Sequence, residues 1–165
     1  ELAAPHGELK ADPGKDIVKV SVISCEGRQF TGLVRGQGFR GGAMATSGAW
    51  ETFSTVVVGA DDADMAMAVN RIFEMGGGIV VCSEGKIQAE LALPVAGLMS
   101  NQRIEEIVER LNQIQAKAEA LGFRFADAAL TLAVLTTAAI PFLRLSEDGL
   151  VDSKTGKGVD LVLPA

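Results

Sequence analysis

Tyrosine is missing from this chain, and tryptophan and histidine occur once each, as Trp50 and His6. With aromatics at 5%, the chain lacks the rings that a single-strand base-stacking platform needs. One imidazole cannot assemble a histidine-based metal site. It also rules out a Ser-His-Asp hydrolase within the chain, since Ser47, Ser54 and Ser100 stand in no G-x-S-x-G elbow. Cys25 and Cys82 have no histidine partner for the same reason. Lying in or beside β-branched runs, they are expected to be two buried, reduced thiols. Positive charge is also scarce: 15 Lys and Arg face 21 Asp and Glu, for a net charge of −6. That argues against duplex nucleic acid or an anionic membrane as partner. The longest uncharged run, Ala128 to Leu143, contains Pro141 and falls short of the ~20 apolar residues that span a bilayer. No basic-then-apolar signal segment opens the chain, and a cytoplasmic location is expected.

What remains is an ordinary globular composition, 48% apolar and 22% charged over 165 residues, enough for one domain with its own core. Glu1 to Asp16 holds Pro5, Gly7, Pro13 and Gly14 among charges and reads as a leader from an upstream segment. The body is expected over residues 17–165. Ile17 to Ser24 is a β-branched strand. Phe30 to Val34 and Gly42 to Thr46 are shorter strands, split by a glycine-rich loop. Thr55 to Val58 has the compact β-branched composition of a central strand. Asp61 is placed to cap a helix whose first turn carries Asp62 and Asp64. Met65, Ala68, Val69, Ile72 and Phe73 predict its apolar face, and Gly76 to Gly78 its end. Ile79 to Cys82 returns as a strand, and Ile87 to Leu93 pairs back on it. Thr55–Val58 and Ile79–Cys82 are joined through a helix, so they can lie parallel, as neighbours or with another strand between them.

Ser100 or Asn101 is expected to cap a second helix. Its stripe is Ile104, Ile107, Val108, Leu111, Ile114, Ala118 and Leu121, and Gly122 ends it. Glu105, Glu106, Glu109, Arg110, Gln113 and Lys117 form its solvated face. Leu130 to Leu135 suits either a buried strand or a short helix, and Pro141 breaks any helix there. Leu143–Leu145, Leu150–Val151 and Val159–Leu163 are short strands. The sum is an α/β or α+β fold, a mixed and largely antiparallel sheet with two or three packed helices.

Chemistry-bearing motifs are few. Gly36-Gln37-Gly38-Phe39-Arg40-Gly41 matches G-x-G-x-x-G, but the following residues are weak helix formers. A close backbone approach therefore explains it better than a phosphate cradle. Asp61, Asp62 and Asp64 have the chemistry of cation ligands, yet capping suffices to explain them. Glu51, between Trp50 and Phe53, would suit an acid role if aromatic surface buried it. Glu90 alternates with apolar neighbours and is expected to face outward.

The run from Val57 to Ser100 carries a long ordered pattern: Val57-Val58-Gly59, Asp64-Met65-Ala66-Met67-Ala68-Val69-Asn70-Arg71, Gly76-Gly77-Gly78-Ile79-Val80-Val81 and Leu93-Pro94-Val95-Ala96-Gly97-Leu98-Met99-Ser100. With Gly42-Ala43-Met44-Ala45-Thr46-Ser47 and the closing Leu143 to Asp152, it resembles the C-terminal domain of bacterial adenine deaminases, in the amidohydrolase superfamily. The resemblance implies a parent enzyme of purine metabolism that deaminates adenine to hypoxanthine and ammonia. It further implies a divalent metal (Mn, Fe or Zn) held by an upstream barrel, which would be this chain's partner, and a homo-oligomer. No complete catalytic set and no metal ligand is expected here. The family usually has His-Asp-Ser-His-Asn where this chain has Trp50-Glu51-Thr52-Phe53-Ser54. Those five residues are the substrate-pocket candidates. The exchange leaves open a different amine or amide substrate, or a purely assembling domain.

Overall fold

The computed structural model describes residues 10–140 and 142–161. The expectations placed on Pro5, His6, Gly7, Pro141, Val162 and Leu163 lie outside the described residues. Nine strands and three α-helices are described: β1 Ile17–Ile23, β2 Gln29–Arg35, β3 Ala43–Ala49, β4 Ser54–Gly59, α1 Asp62–Met75, β5 Gly78–Ser83, β6 Lys86–Ala92, α2 Ile104–Ala120, α3 Ala128–Ala133, β7 Leu143–Ser146, β8 Gly149–Asp152 and β9 Lys157–Val159. A short 3-10 turn, Pro13–Lys15, precedes β1, and another, Val134–Thr136, follows α3.

β4 is a β-branched run buried along its whole length, as a strand covered on both faces must be. It lies inside a six-stranded antiparallel sheet of order β2-β1-β4-β3-β5-β6; β7-β8-β9 form a separate sheet. β3 runs antiparallel to both β4 and β5, so β4 and β5 are parallel with β3 inserted between them. Alternation along the strands divides the interior in two. Ala43, Ala45, Val57, Val80 and Cys82 pack under Met65, Ala68, Val69 and Ile72 of α1. Val20, Met44, Val56, Val58, Val81 and Leu91 face the opposite layer, where Ile114 and Ala118 of α2 and Ala128 and Leu132 of α3 close over them. The architecture is α+β, with helices on both faces of the main sheet.

α1 begins as its sequence predicts. The Asp61 side chain accepts the Asp64 N–H at 2.9 Å, and Gly76, left-handed at φ 71°, ends the helix. Phe73, expected on the buried face, is instead 57% exposed, because the face that meets the sheet is already filled by Met65, Val69 and Ile72. Leu130 to Leu135 resolves to helix, capped by Asp127, whose carboxylate accepts the Leu130 N–H at 2.9 Å. α2 starts two or three residues later than expected, after Arg103, and no side chain caps it. Of its stripe only Ile114 and Ala118 are buried. Ile104 and Val108 are 66% and 50% exposed.

The expected leader is structured where it is described. Asp12 bridges to Ile17, and the Asp16 carboxylate accepts the Gly38 N–H at 2.7 Å. The motif Gly36 to Gly41 leads into strand β3, with no helix following it. Besides Gly38, two of its N–H groups are already engaged, Gly36 with the Asp16 carbonyl at 3.1 Å and Arg40 with the Leu121 carbonyl at 2.8 Å. A side chain on Gly38 would strike the Gly122 carbonyl. The glycines therefore serve a close approach of this loop to the end of α2.

Glu90, expected to face outward, is half-buried toward α1. Its carboxylate accepts from Arg71 Nε at 2.7 Å and Nη2 at 2.9 Å. Cys25 is exposed and Cys82 buried, and both are free; the expectation of two buried thiols fails for Cys25, which lies in the β1–β2 turn.

Three predictions follow from this packing. Gly77 has φ +126°, and a Cβ there would stand 2.5 Å from Gly97 Cα and 2.7 Å from the Leu93 carbonyl oxygen. Gly77→Ala is expected to cost about 2 kcal/mol or more in urea unfolding, against about 1 kcal/mol for Gly85→Ala, where the added carbon meets open space. The Arg71 guanidinium holds the Glu90 carboxyl below its ordinary value of 4.5. A native pKa lowered in this way gives stability above the ordinary value and loses it as pH falls through the native one. With both side chains about a third exposed, Glu90→Gln should cost only about 1 kcal/mol at pH ~7, and the difference should close in strong acid. Burial, and then the charges of Asp64 and Glu90, push the Cys82 thiol up to about 11. An aromatic disulfide reagent at pH ~8 should accordingly titrate one thiol in the native protein and two in denaturant.

Candidate functional site

Four of the five pocket candidates, Trp50 to Phe53, form the hairpin turn between β3 and β4, Ser54 opens β4, and the turn is tightly held. The Ala49 carbonyl accepts the N–H of Thr52 at 3.2 Å and of Phe53 at 2.8 Å. Thr52 Oγ1 meets Thr136 Oγ1 at 3.2 Å, and Ser54 Oγ donates to the Thr52 carbonyl at 3.3 Å. Phe53 sits at φ 53°, a left-handed conformation that an aromatic residue adopts only under constraint.

The structure splits the candidates by role. Thr52 and Ser54 anchor the turn; Ser54 is fully buried. Trp50 and Phe53 are presented outward, 47% and 60% exposed. Glu51 is exposed as well, so the described residues do not give it the burial that the acid role requires. Trp50 alone lines a cleft of about 730 Å³ bounded by the sheet, α2, α3 and the Leu98–Ser100 loop. Phe53 is not part of that lining, and the two rings are not brought together.

The loop that borders this cleft is set by residues far apart in sequence. Ser47 Oγ accepts the Gly78 N–H at 2.8 Å and donates to the Gly97 carbonyl at 2.6 Å. Ala96 and Gly97 are both left-handed, at φ 55° and 72°, and Val95 bridges back to Met99. The loop therefore folds onto the end of β3 and offers Leu98 and Met99 to the cleft. No sequence pattern marked Ser47 as a joint; its hydroxyl acts through partners 31 and 50 residues away.

Asp61, Asp62 and Asp64 diverge in function. Asp61 caps α1, and Asp62 pairs with Lys19 at 2.8 Å. Asp64 is buried and accepts the N–H groups of Glu84 at 3.1 Å and Gly85 at 2.9 Å, fastening the β5–β6 turn to α1. Among the described residues no three His, Cys, Asp or Glu side chains converge as metal ligands. Arg28 joins the β1–β2 turn to the second sheet, with Nη1 at 2.6 Å from Asp148 and Nη2 at 3.0 Å from Glu147. Among the described residues no helix is long and apolar enough to cross a membrane.

Comparison with known proteins gives these shapes a lineage. The sequence model of the adenine deaminase C-terminal domain matches residues 1–157. A protein named adenine deaminase from Kosmotoga olearia is 39% identical over 99% of this chain, which covers 29% of that relative. One from Methylobacterium nodulans is 43% identical over 92% of the chain and 27% of its own length. One from Clostridium botulinum is 35% identical over 98% of the chain and 27% of its own length. The chain spans under a third of each of these curated relatives. Three of the segments that carry the resemblance (Gly42–Ser47, Gly76–Val81 and Leu93–Ser100) meet around Ser47 and Gly97, and the chain belongs to the adenine deaminase C-terminal domain family.

Proposed function

We propose that this chain is the C-terminal part of an adenine-deaminase-like hydrolase of purine metabolism, working in the cytoplasm. In the net reaction, water adds at the ring carbon bearing the exocyclic amine, the carbon–nitrogen bond breaks, and adenine leaves as hypoxanthine and ammonia. The carrying observation is identity of 39% over 99% of the chain with a relative named for that activity. The described residues contain no metal-ligand cluster. By the family resemblance, the reacting groups, including a divalent metal, are assigned to a preceding barrel that would be this domain's partner. On this reading the domain's own contribution is the β3–β4 turn, pre-organised by Thr52 and Ser54 to hold Trp50, Glu51 and Phe53 at the mouth of the substrate pocket.

A second reading rests on a different observation. Ile104 and Val108 are apolar and exposed on the first turns of α2, a surface suited to assembly of copies. In that case the turn has no catalytic duty, and the parent enzyme is a homo-oligomer held through this domain. A third, in which the parent acts on another amine or amide, rests on the aromatic side chains Trp50 and Phe53 in place of imidazoles.

Ammonia release separates these readings. The purified 165-residue chain should release none from adenine, and a longer protein that includes it should. Within that longer protein, Trp50→Ala and Glu51→Gln should each lower kcat/KM about tenfold or more. Unchanged kinetics would remove the turn from the site and favour assembly. No ammonia from adenine in the longer protein, with release from another amine, would transfer the reading to that substrate.

A further inference from the structure

We propose that Thr136 is a positioning residue for the β3–β4 turn: its buried hydroxyl ties the turn to the end of α3 and so sets where Trp50, Glu51 and Phe53 are presented to the substrate. The inference rests on the proposed function, in which those three side chains stand at the mouth of the substrate pocket. Thr136 lies 84 residues from Thr52, in the 3-10 turn Val134–Thr136 that follows α3, and it is 4% exposed. Thr52 Oγ1 donates to Thr136 Oγ1 at 3.2 Å. Thr136 Oγ1 donates in turn to the Ala133 carbonyl at 3.4 Å. Ala133 is the last residue of α3, so its carbonyl has no partner one turn further on within that helix. The two hydroxyls therefore form a directed relay from the turn to the helix end. α3 packs against β3 and β4 and lines the same cleft as Trp50.

Among the described residues, this relay is the one hydrogen-bonded route from Trp50–Phe53 out of the β3–β4 hairpin. The bonds from the Thr52 and Phe53 N–H groups to the Ala49 carbonyl, and from Ser54 Oγ to the Thr52 carbonyl, all stay inside the hairpin. They fix the shape of the turn and leave its place relative to α3 open. The left-handed Phe53, at φ 53°, adds strain that persists only where the surroundings over-determine the backbone. Without the Thr136 hydroxyl, the half-buried Thr52 hydroxyl would face a methyl group, and a donor left in that state is costly. The turn would relieve the cost by moving its hydroxyl toward water and relaxing at Phe53, while the ladder between β3 and β4 stayed intact. The exposed rings would then lose their fixed place. Substrate binding would weaken, and the groups that break the carbon–nitrogen bond, assigned to the preceding barrel, would be untouched. Such a loss falls on KM and spares kcat.

Trp50 is the only tryptophan and there is no tyrosine, so the emission anisotropy of the 165-residue chain reports on the turn directly. The experiment combines that reading with the kinetics of adenine deamination by a longer protein that includes the chain. Thr136→Val keeps nearly the same shape and removes the hydroxyl. It should raise KM about fivefold, leave kcat within about twofold, and lower the Trp50 anisotropy. Thr136→Ser should restore all three. Thr52→Val should match Thr136→Val, and the double variant should be no worse than either single one, because both cut the same relay. Cys82→Ala, which opens space under α1 on the other face of the sheet, should cost stability in urea yet leave KM and the anisotropy unchanged. A Trp50→Ala protein that is impaired beside a Thr136→Val protein with parental KM and anisotropy would overturn this inference alone. If neither variant alters the kinetics, the turn lies outside the site, and the proposed function of the turn falls together with the inference. Losses that add in the double variant, or a Thr136→Ser protein no better than Thr136→Val, would also overturn it.

Discussion

The joint formed by Ser47, Gly77, Gly78 and Gly97 is the constraint on which the α2–α3 side of this domain rests. One hydroxyl satisfies a strand N–H and a loop carbonyl at once, in a place where two backbones come too close for any side chain between them. Helix α1 ends there, β5 begins there, and the loop after β6 is folded back there. Without that closure, Leu98 and Met99 would have no fixed position beside α2, and the cleft would have no wall on that side.

The two helical layers have different tasks. α1 is a structural cover, sealed at its start by Asp61, at its end by glycines, and laterally by the Arg71–Glu90 pair and the buried Asp64. The layer of α2 and α3 is looser. α2 lacks a side-chain cap, leaves apolar residues of its first turns in water, and stands away from the sheet far enough to leave the cleft. Apolar surface left exposed next to a concavity is where a folded protein usually meets something else.

Much of this was legible in the sequence. Asp61 before an i, i+3, i+4 apolar series followed by glycines admits one reading, because capping, periodicity and termination agree. The all-buried β4 was legible from three consecutive valines. What could not be read were facts of tertiary context. Phe73 continues the helical stripe on paper, but the sheet is covered before its position is reached. Ile104 and Val108 satisfy the period of α2, yet no partner from this chain covers them. Glu90 looks like a solvent-facing residue of a strand until Arg71 is placed beside it. The site suffered most: the candidates Trp50 to Ser54 are adjacent in sequence, but a turn sends neighbouring side chains in opposite directions, so anchors and presented rings alternate.

The insertion of β3 between β4 and β5 also dictates an order of events. β3 and β4 can form a local hairpin by themselves, but β5 reaches the far side of β3 only after the whole of α1 has been laid across the sheet. Until then one edge of β3 offers unpaired amides and carbonyls to any passing strand. Pairings at such sequence distance form slowly compared with a hairpin. A chain emerging from the ribosome would therefore carry this open edge for as long as it takes to synthesise and dock the residues up to Ser83. That interval is when the protein would be most exposed to misassociation.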